Sequence, residues 1–171
     1  MIKLLLLTTM LMTAGAAFAD PAPFGLELGK ATLTDAKAKY RLKELGINKY
    51  SNGPMHQVQP GQISFEGLRN VTLIFDSNQI LSGVLTTFPK GRFNDLNDGL
   101  AQKYRLVSKS TPFVGDSEAK YVNGQTEISI SAPHMSFELN MIYLRQELLS
   151  AFDAQSSAEQ QAKKNREDAQ L

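Results

Sequence analysis

Cysteine is missing from this chain altogether, and with it go disulfides, thiol nucleophiles, zinc–thiolate centres and iron–sulfur ligation. Whatever fold it adopts must be held by its apolar core alone. Histidine is nearly absent: His56 and His134 are the only two, so a serine hydroxyl has few bases to activate it, and no Gly-x-Ser-x-Gly elbow occurs. No glycine-rich loop is present to cradle a phosphate. An excess of one charge is also lacking. Lys3 is the only charged residue before Asp20, so of 18 basic and 17 acidic residues the part from Asp20 onward holds equal numbers. That balance argues against nucleic acid as a partner and against attraction to an anionic lipid surface.

The one sustained apolar run begins at Leu4, after the single charge at Lys3, and gives way to small residues ending Ala17-Phe18-Ala19. It is too short for a comfortable membrane span, and its small-residue end has the Ala-x-Ala pattern of a signal-peptide cleavage site. We expect residues 1–19 to be a signal peptide cut before Asp20, which places the mature protein in the periplasm without a membrane anchor. The remaining 20–171 is about the size of one domain.

Within it a unit repeats. Phe24 leads to Lys39-Tyr40-Arg41-Leu42 at the spacing by which Phe88 leads to Lys103-Tyr104-Arg105-Leu106. In the first copy, Thr32 or Thr34 offers a cap to a helix carrying Leu33, Ala36 and Tyr40, which Gly46 would end. Asn48 to Gly61 reads as a loop, followed by strands at Gln62 to Phe65, Val71 to Phe75 and Ile80 to Phe88. The last two join through Asp76-Ser77-Asn78-Gln79, residues whose side chains bond nearby backbone. The second copy opens with an amphipathic helix carrying Phe93, Leu96, Leu100 and Tyr104, in which Gly99 suggests a close contact with a sheet. Strands follow at Ser117 to Val122, Gln125 to Ser131 and Phe137 to Leu144, the first two joined by the turn dipeptide Asn123-Gly124. Leu144, Leu148 and Phe152 then fall at helical spacing, and beyond Ala154 the pattern fades into a polar tail, 155–171. The expected fold is α+β: a single domain over 20–154, made of two repeats (about 24–87 and 88–154), each a helix plus a three-stranded antiparallel meander, forming one or two sheets and closed by a C-terminal helix.

The Gly29-Lys30-Ala31-Thr32 start of the first helix, followed by a loop and a meander, resembles the small periplasmic domain of BamE-like outer-membrane assembly lipoproteins. The tandem arrangement resembles secreted β-lactamase inhibitor proteins. The chain lacks the lipid-bearing cysteine of the former and the disulfides of the latter. What these resemblances imply is protein binding, with a partner in the cell envelope.

Three functional readings follow. In the first, the polar positions of the second repeat, Glu127, Ser129, Glu138 and Asn140, form a wet sheet face that binds another protein, and the chain is not an enzyme. In the second, Met55-His56 and His134-Met135 converge from two loops to bind copper, because thioether and imidazole suit copper(I). No other cofactor is expected. In the third, the chain is an enzyme of an unfamiliar type, for which Asp95 with Asp98, or Asp116 with Glu118, are the nearest carboxylate pairs. Asp76-Ser77-Asn78 begins like a calcium loop but has Leu81 and Thr87 where that loop needs its glycine and its bidentate acid, so it reads as a turn.

Overall fold

The protein, as a computed structural model, is described for residues 19–168 and for residue 170. Apart from Ala19, the expected leader lies outside the described residues. Its architecture is α+β with a single eight-stranded antiparallel sheet. The first repeat contributes helix α1 (Leu33–Lys39) and strands β1 (Leu42–Ile47), β2 (Asn52–Val58), β3 (Asn70–Asp76) and β4 (Leu81–Pro89). The second contributes α2 (Phe93–Ala101), β5 (Arg105–Ser110), β6 (Ser117–Asn123), β7 (Thr126–Ala132) and β8 (Glu138–Arg145), and α3 (Gln146–Asp168) follows. Strand order is β1-β2-β3-β4-β8-β7-β6-β5. Each repeat is thus a meander, and the two join through their last strands, with Val84 opposite Tyr143 and Phe88 opposite Leu139.

Each meander has four strands rather than three, and the repeated tetrapeptide explains the difference. Lys39-Tyr40-Arg41-Leu42 and Lys103-Tyr104-Arg105-Leu106 span the passages from helix to first strand: α1 ends at Lys39 and α2 already at Ala101, so Tyr40 and Tyr104, expected on the helices, lie just beyond them, and β1 and β5 begin at Leu42 and Arg105. The expected helix would run on to Gly46, yet α1 stops at Lys39. Gly46, expected as its end, sits instead at a bulge in β1 with a φ of 101°. The expected loop from Asn48 to Gly61 contains β2, whose Asn-Gly-Pro start has no strand propensity of its own; pairing with both β1 and β3 overrides it. Gln62 to Phe65, read as a strand, is part of the connection between β2 and β3, and Phe65 packs edge-on against Phe88 with ring centroids 5.6 Å apart.

Local chemistry fixes the helix starts and turns. Thr32 rather than Thr34 caps α1: its hydroxyl accepts from the Asp35 amide at 3.1 Å while the Asp35 carboxylate accepts from the Thr32 amide at 2.8 Å. Asp76 holds the β3–β4 turn by accepting from the amides of Asn78 and Ile80. The β6–β7 turn forms, one residue later than the Asn-Gly pair suggests. Asn123 pairs with Thr126, and positive φ falls at Gly124 alone.

Strand alternation divides the sheet into two faces. The inner face carries Val71, Leu73, Phe75, Val84, Phe88, Tyr121, Ile128, Ile130, Leu139, Met141 and Tyr143, all buried beneath α1 and α2 in one core. Tyr121 ties α2 down, its hydroxyl 2.7 Å from Asn97 Oδ1. The outer face is partly covered. Leu148 of α3 is buried, and with Leu149 and Phe152 it lies over Ile74, Leu85, Ile142 and Leu144. Beyond Asp153 α3 runs on as an almost wholly solvent-facing helix through the segment expected to be a polar tail. Among the described residues no helix is long and apolar enough to cross a membrane.

Candidate functional site

The two His-Met pairs do not meet. His56 lies on β2 rather than in a loop, and alternation sends its side chain to the inner face, where it is buried, while Met55 faces the other way. His134 and Met135 lie in the β7–β8 loop, at one end of the sheet. His56 aligns across the sheet with Leu73, Val84 and Tyr143, three strands over and well short of that loop, which leaves the pairs roughly 20 Å apart by strand geometry. Among the described residues no group of three or more His, Asp or Glu side chains is placed to hold a metal ion. The carboxylate pairs are engaged one by one: Asp95 lies 3.4 Å from Arg92 Nη1, Asp98 accepts from the Asn97 side chain, Asp116 accepts from the His134 amide, and Glu118 accepts from the Ser131 hydroxyl at 3.5 Å.

Glu127, Ser129, Glu138 and Asn140 do share one face. Ser129 pairs with Ile142, Glu127 with Leu144 and Ser131 with Asn140, so all four of the singled-out residues point to the outer side. Three of them are engaged across strands: Glu127 with Lys120 at 3.4 Å, Glu138 with Arg69 at 2.6 Å and Asn140 with the Thr87 hydroxyl at 3.3 Å. Being exposed, these pairs contribute little to stability.

Beside Glu138 the structure shows a feature that period-two reading missed. Phe137 has the parity of Leu139 and Met141, but β8 begins only at Glu138, so Phe137 projects past the end of the sheet and is 91% exposed. Met135 in the same loop is 90% exposed, and Phe113 and Val114 of the β5–β6 loop, at the same end of the sheet, are also exposed. Both loops are held in place. The His134 amide donates to Asp116 Oδ1 at 2.6 Å, joining one loop to the other. The Lys90 ammonium donates to the carbonyls of Pro133 at 2.6 Å and His134 at 2.9 Å, and the Lys90 amide donates to the Phe137 carbonyl at 2.9 Å. The available sequence signal was apolar residues inside turns, Pro112-Phe113-Val114-Gly115 above all.

At the opposite end of this repeat, Asp20 is fastened to the β6–β7 turn and to the end of β8. Its carboxylate accepts from the Gln125 amide at 2.7 Å, the Thr126 hydroxyl at 3.0 Å and the Arg145 guanidinium at 2.5 Å. Arg145 also pairs with Glu147, and these carboxylates hold its pKa above its ordinary value. Gly29, with φ of 74°, lies beneath the guanidinium, which occupies the space a Cβ would need.

A groove of about 460 Å³ runs along α2. Leu96, Gly99, Leu100, Lys103 and Tyr104 form one side, Pro23, Phe24 and Phe65 the other, and Met141 and Tyr143 the floor. Gly99 makes no close contact with the sheet: a Cβ there would meet nothing within 4 Å. It therefore costs α2 about 1 kcal/mol without a packing reason.

Compared with protein-family models, with curated proteins and with solved structures, the chain matches none of them.

Proposed function

We propose that the chain is a non-enzymatic periplasmic protein, exported by removal of residues 1–19, that binds another envelope protein through the loop end and adjoining outer face of its second repeat. The observation that carries this reading is the cluster of Phe113, Val114, Met135 and Phe137, exposed together on loops held by hydrogen bonds from Lys90 and His134. Large apolar side chains cost free energy when left in water, and grouped exposure of this kind marks interaction surfaces. Fixed loops give up little conformational freedom on docking, which favours aromatic anchors as the main contributors to affinity. Glu138 and Asn140 border the cluster and supply a polar rim.

The test is site-specific photocrosslinking in cells from position 137, with position 47 on the far sheet edge as control. A protein captured from 137 and not from 47 is then purified and titrated. Phe113→Ser with Phe137→Ser should weaken its binding at least tenfold, and Glu138→Lys by a smaller factor. Equal capture at both positions, no capture, or unchanged affinity of the double variant overturns the reading.

A further inference from the structure

The groove along α2 has a chemistry separate from the loop cluster. Its middle is apolar, lined by Phe24, Phe65, Leu96, Leu100 and Met141, and its volume of about 460 Å³ is within the range of small-molecule sites. Its two ends differ. At one, Arg92 Nε is buried without a partner, but its Nη1 is engaged by Glu66 at 2.9 Å and Asp95 at 3.4 Å, two carboxylates that would repel an anion there. At the other stand Lys103, Tyr104 and Tyr143, and no carboxylate lines that end.

Of the two tyrosines, Tyr143 is buried and Tyr104 half-buried at the groove's mouth, and neither hydroxyl has an oxygen or nitrogen acceptor among the described residues. Tyr143 is 6% exposed, and its hydroxyl reaches only the thioether of Met141 at 3.8 Å, a weak acceptor. Tyr104 is the second-repeat counterpart of Tyr40, whose hydroxyl donates to the Phe24 carbonyl at 2.7 Å. The residue at the matching spacing, Phe88, lies inside β4 rather than in an open turn, and among the described residues nothing accepts from Tyr104. Burial raises the pKa of both phenols, keeping them protonated as donors. A pair of phenol donors beside an ammonium is complementary to a carboxylate, and the apolar channel leading away from them is complementary to an alkyl chain. Gly99, which has no packing role, leaves the wall of that channel open.

We propose that this groove binds a medium-chain fatty acid, its carboxylate held by Tyr104, Tyr143 and Lys103 and its chain lying along Leu100, Leu96 and Phe65. The site is independent of the protein-binding surface.

The experiment is calorimetric titration of the protein (residues 20–171) with sodium decanoate below its micelle concentration, with methyl decanoate as the uncharged control. Decanoate should bind saturably at one equivalent, and the ester at least tenfold more weakly. Gly99→Leu, which fills the channel, should weaken decanoate at least tenfold while the melting temperature holds or rises, separating a blocked groove from a damaged fold. Tyr104→Phe with Tyr143→Phe should weaken decanoate about tenfold and leave the ester unchanged. Non-saturable binding, ester binding as tight as decanoate, or Gly99→Leu binding as tightly as the parent overturns the proposal.

Discussion

At His56 an imidazole is carried into the core on β2, edge-on to Phe75 with ring centroids 6.1 Å apart, and its Nδ1 is buried without a partner. Burial lowers its pKa below the ordinary 6.5, the nearby Lys37 ammonium lowers it further, and Glu44 opposes them weakly. The folded state therefore takes up its proton at lower pH than the unfolded chain does. Stability from this group is complete above pH 6.5 and falls as the pH drops from there through the lowered folded value. Urea denaturation between pH 7 and 5 should show that loss, and His56→Leu should flatten it; an unchanged pH slope in the variant would remove His56 as its source. The sequence displayed this histidine plainly but not its surroundings, because Asn52-Gly53-Pro54 before it reads as loop. Tyr104 and Tyr143 were equally visible as apolar positions on a helix and a strand. Their hydroxyls' want of an oxygen acceptor depends on what the fold packs around them, which a strand or helix pattern does not carry.

Elements were most legible where local chemistry and tertiary demand agree. Thr32 with Asp35, Asp76 at its turn and the alternation of Leu139, Met141 and Tyr143 all name their structures directly. The first strands β1 and β5 were hidden because edge strands have little burial to impose a period, and every residue of β5 is exposed. A bulge interrupts each of them, between Glu44 and Gly46 and between Leu106 and Ser108, which blunts the free edges against pairing with other chains. α3 divides into a packed part and a projecting part. Leu148 is buried on the outer face, so Leu148→Ala should cost about 2–4 kcal/mol in chemical denaturation. A chain ending at Ala154 loses the exposed pair between Lys49 and Glu159 and should change stability by less than about 1 kcal/mol. Equal losses from the two changes would show that the projecting part also supports the fold.

For the molecule as a whole, the repeat in the sequence corresponds to two meanders joined at β4 and β8, and this junction is the centre of the core. Thr86 and Met141 share a buried hydrogen bond of 2.6 Å across it. A fragment of residues 88–154 would keep β8 paired with β7 but leave its other edge open, with Val84 and Thr86 gone from beside Tyr143 and Met141, so it should show no cooperative unfolding by far-UV circular dichroism, whereas the chain from Asp20 should unfold in one transition. A fragment that melts cooperatively would make the repeats separate domains. The sequence displayed the duplication but not the joining, because nothing in a strand's own pattern specifies which neighbour lies at its edge. Closure is also long in reach: Asp20 is bonded to Arg145, so a residue that precedes every strand is secured by the end of the last one. During synthesis that contact has to wait until residue 145 has left the ribosome, and β4 waits as long for β8. Until then the chain lacks its central pairing and remains pliable, the condition a polypeptide needs if it is to be threaded through a membrane pore before it folds.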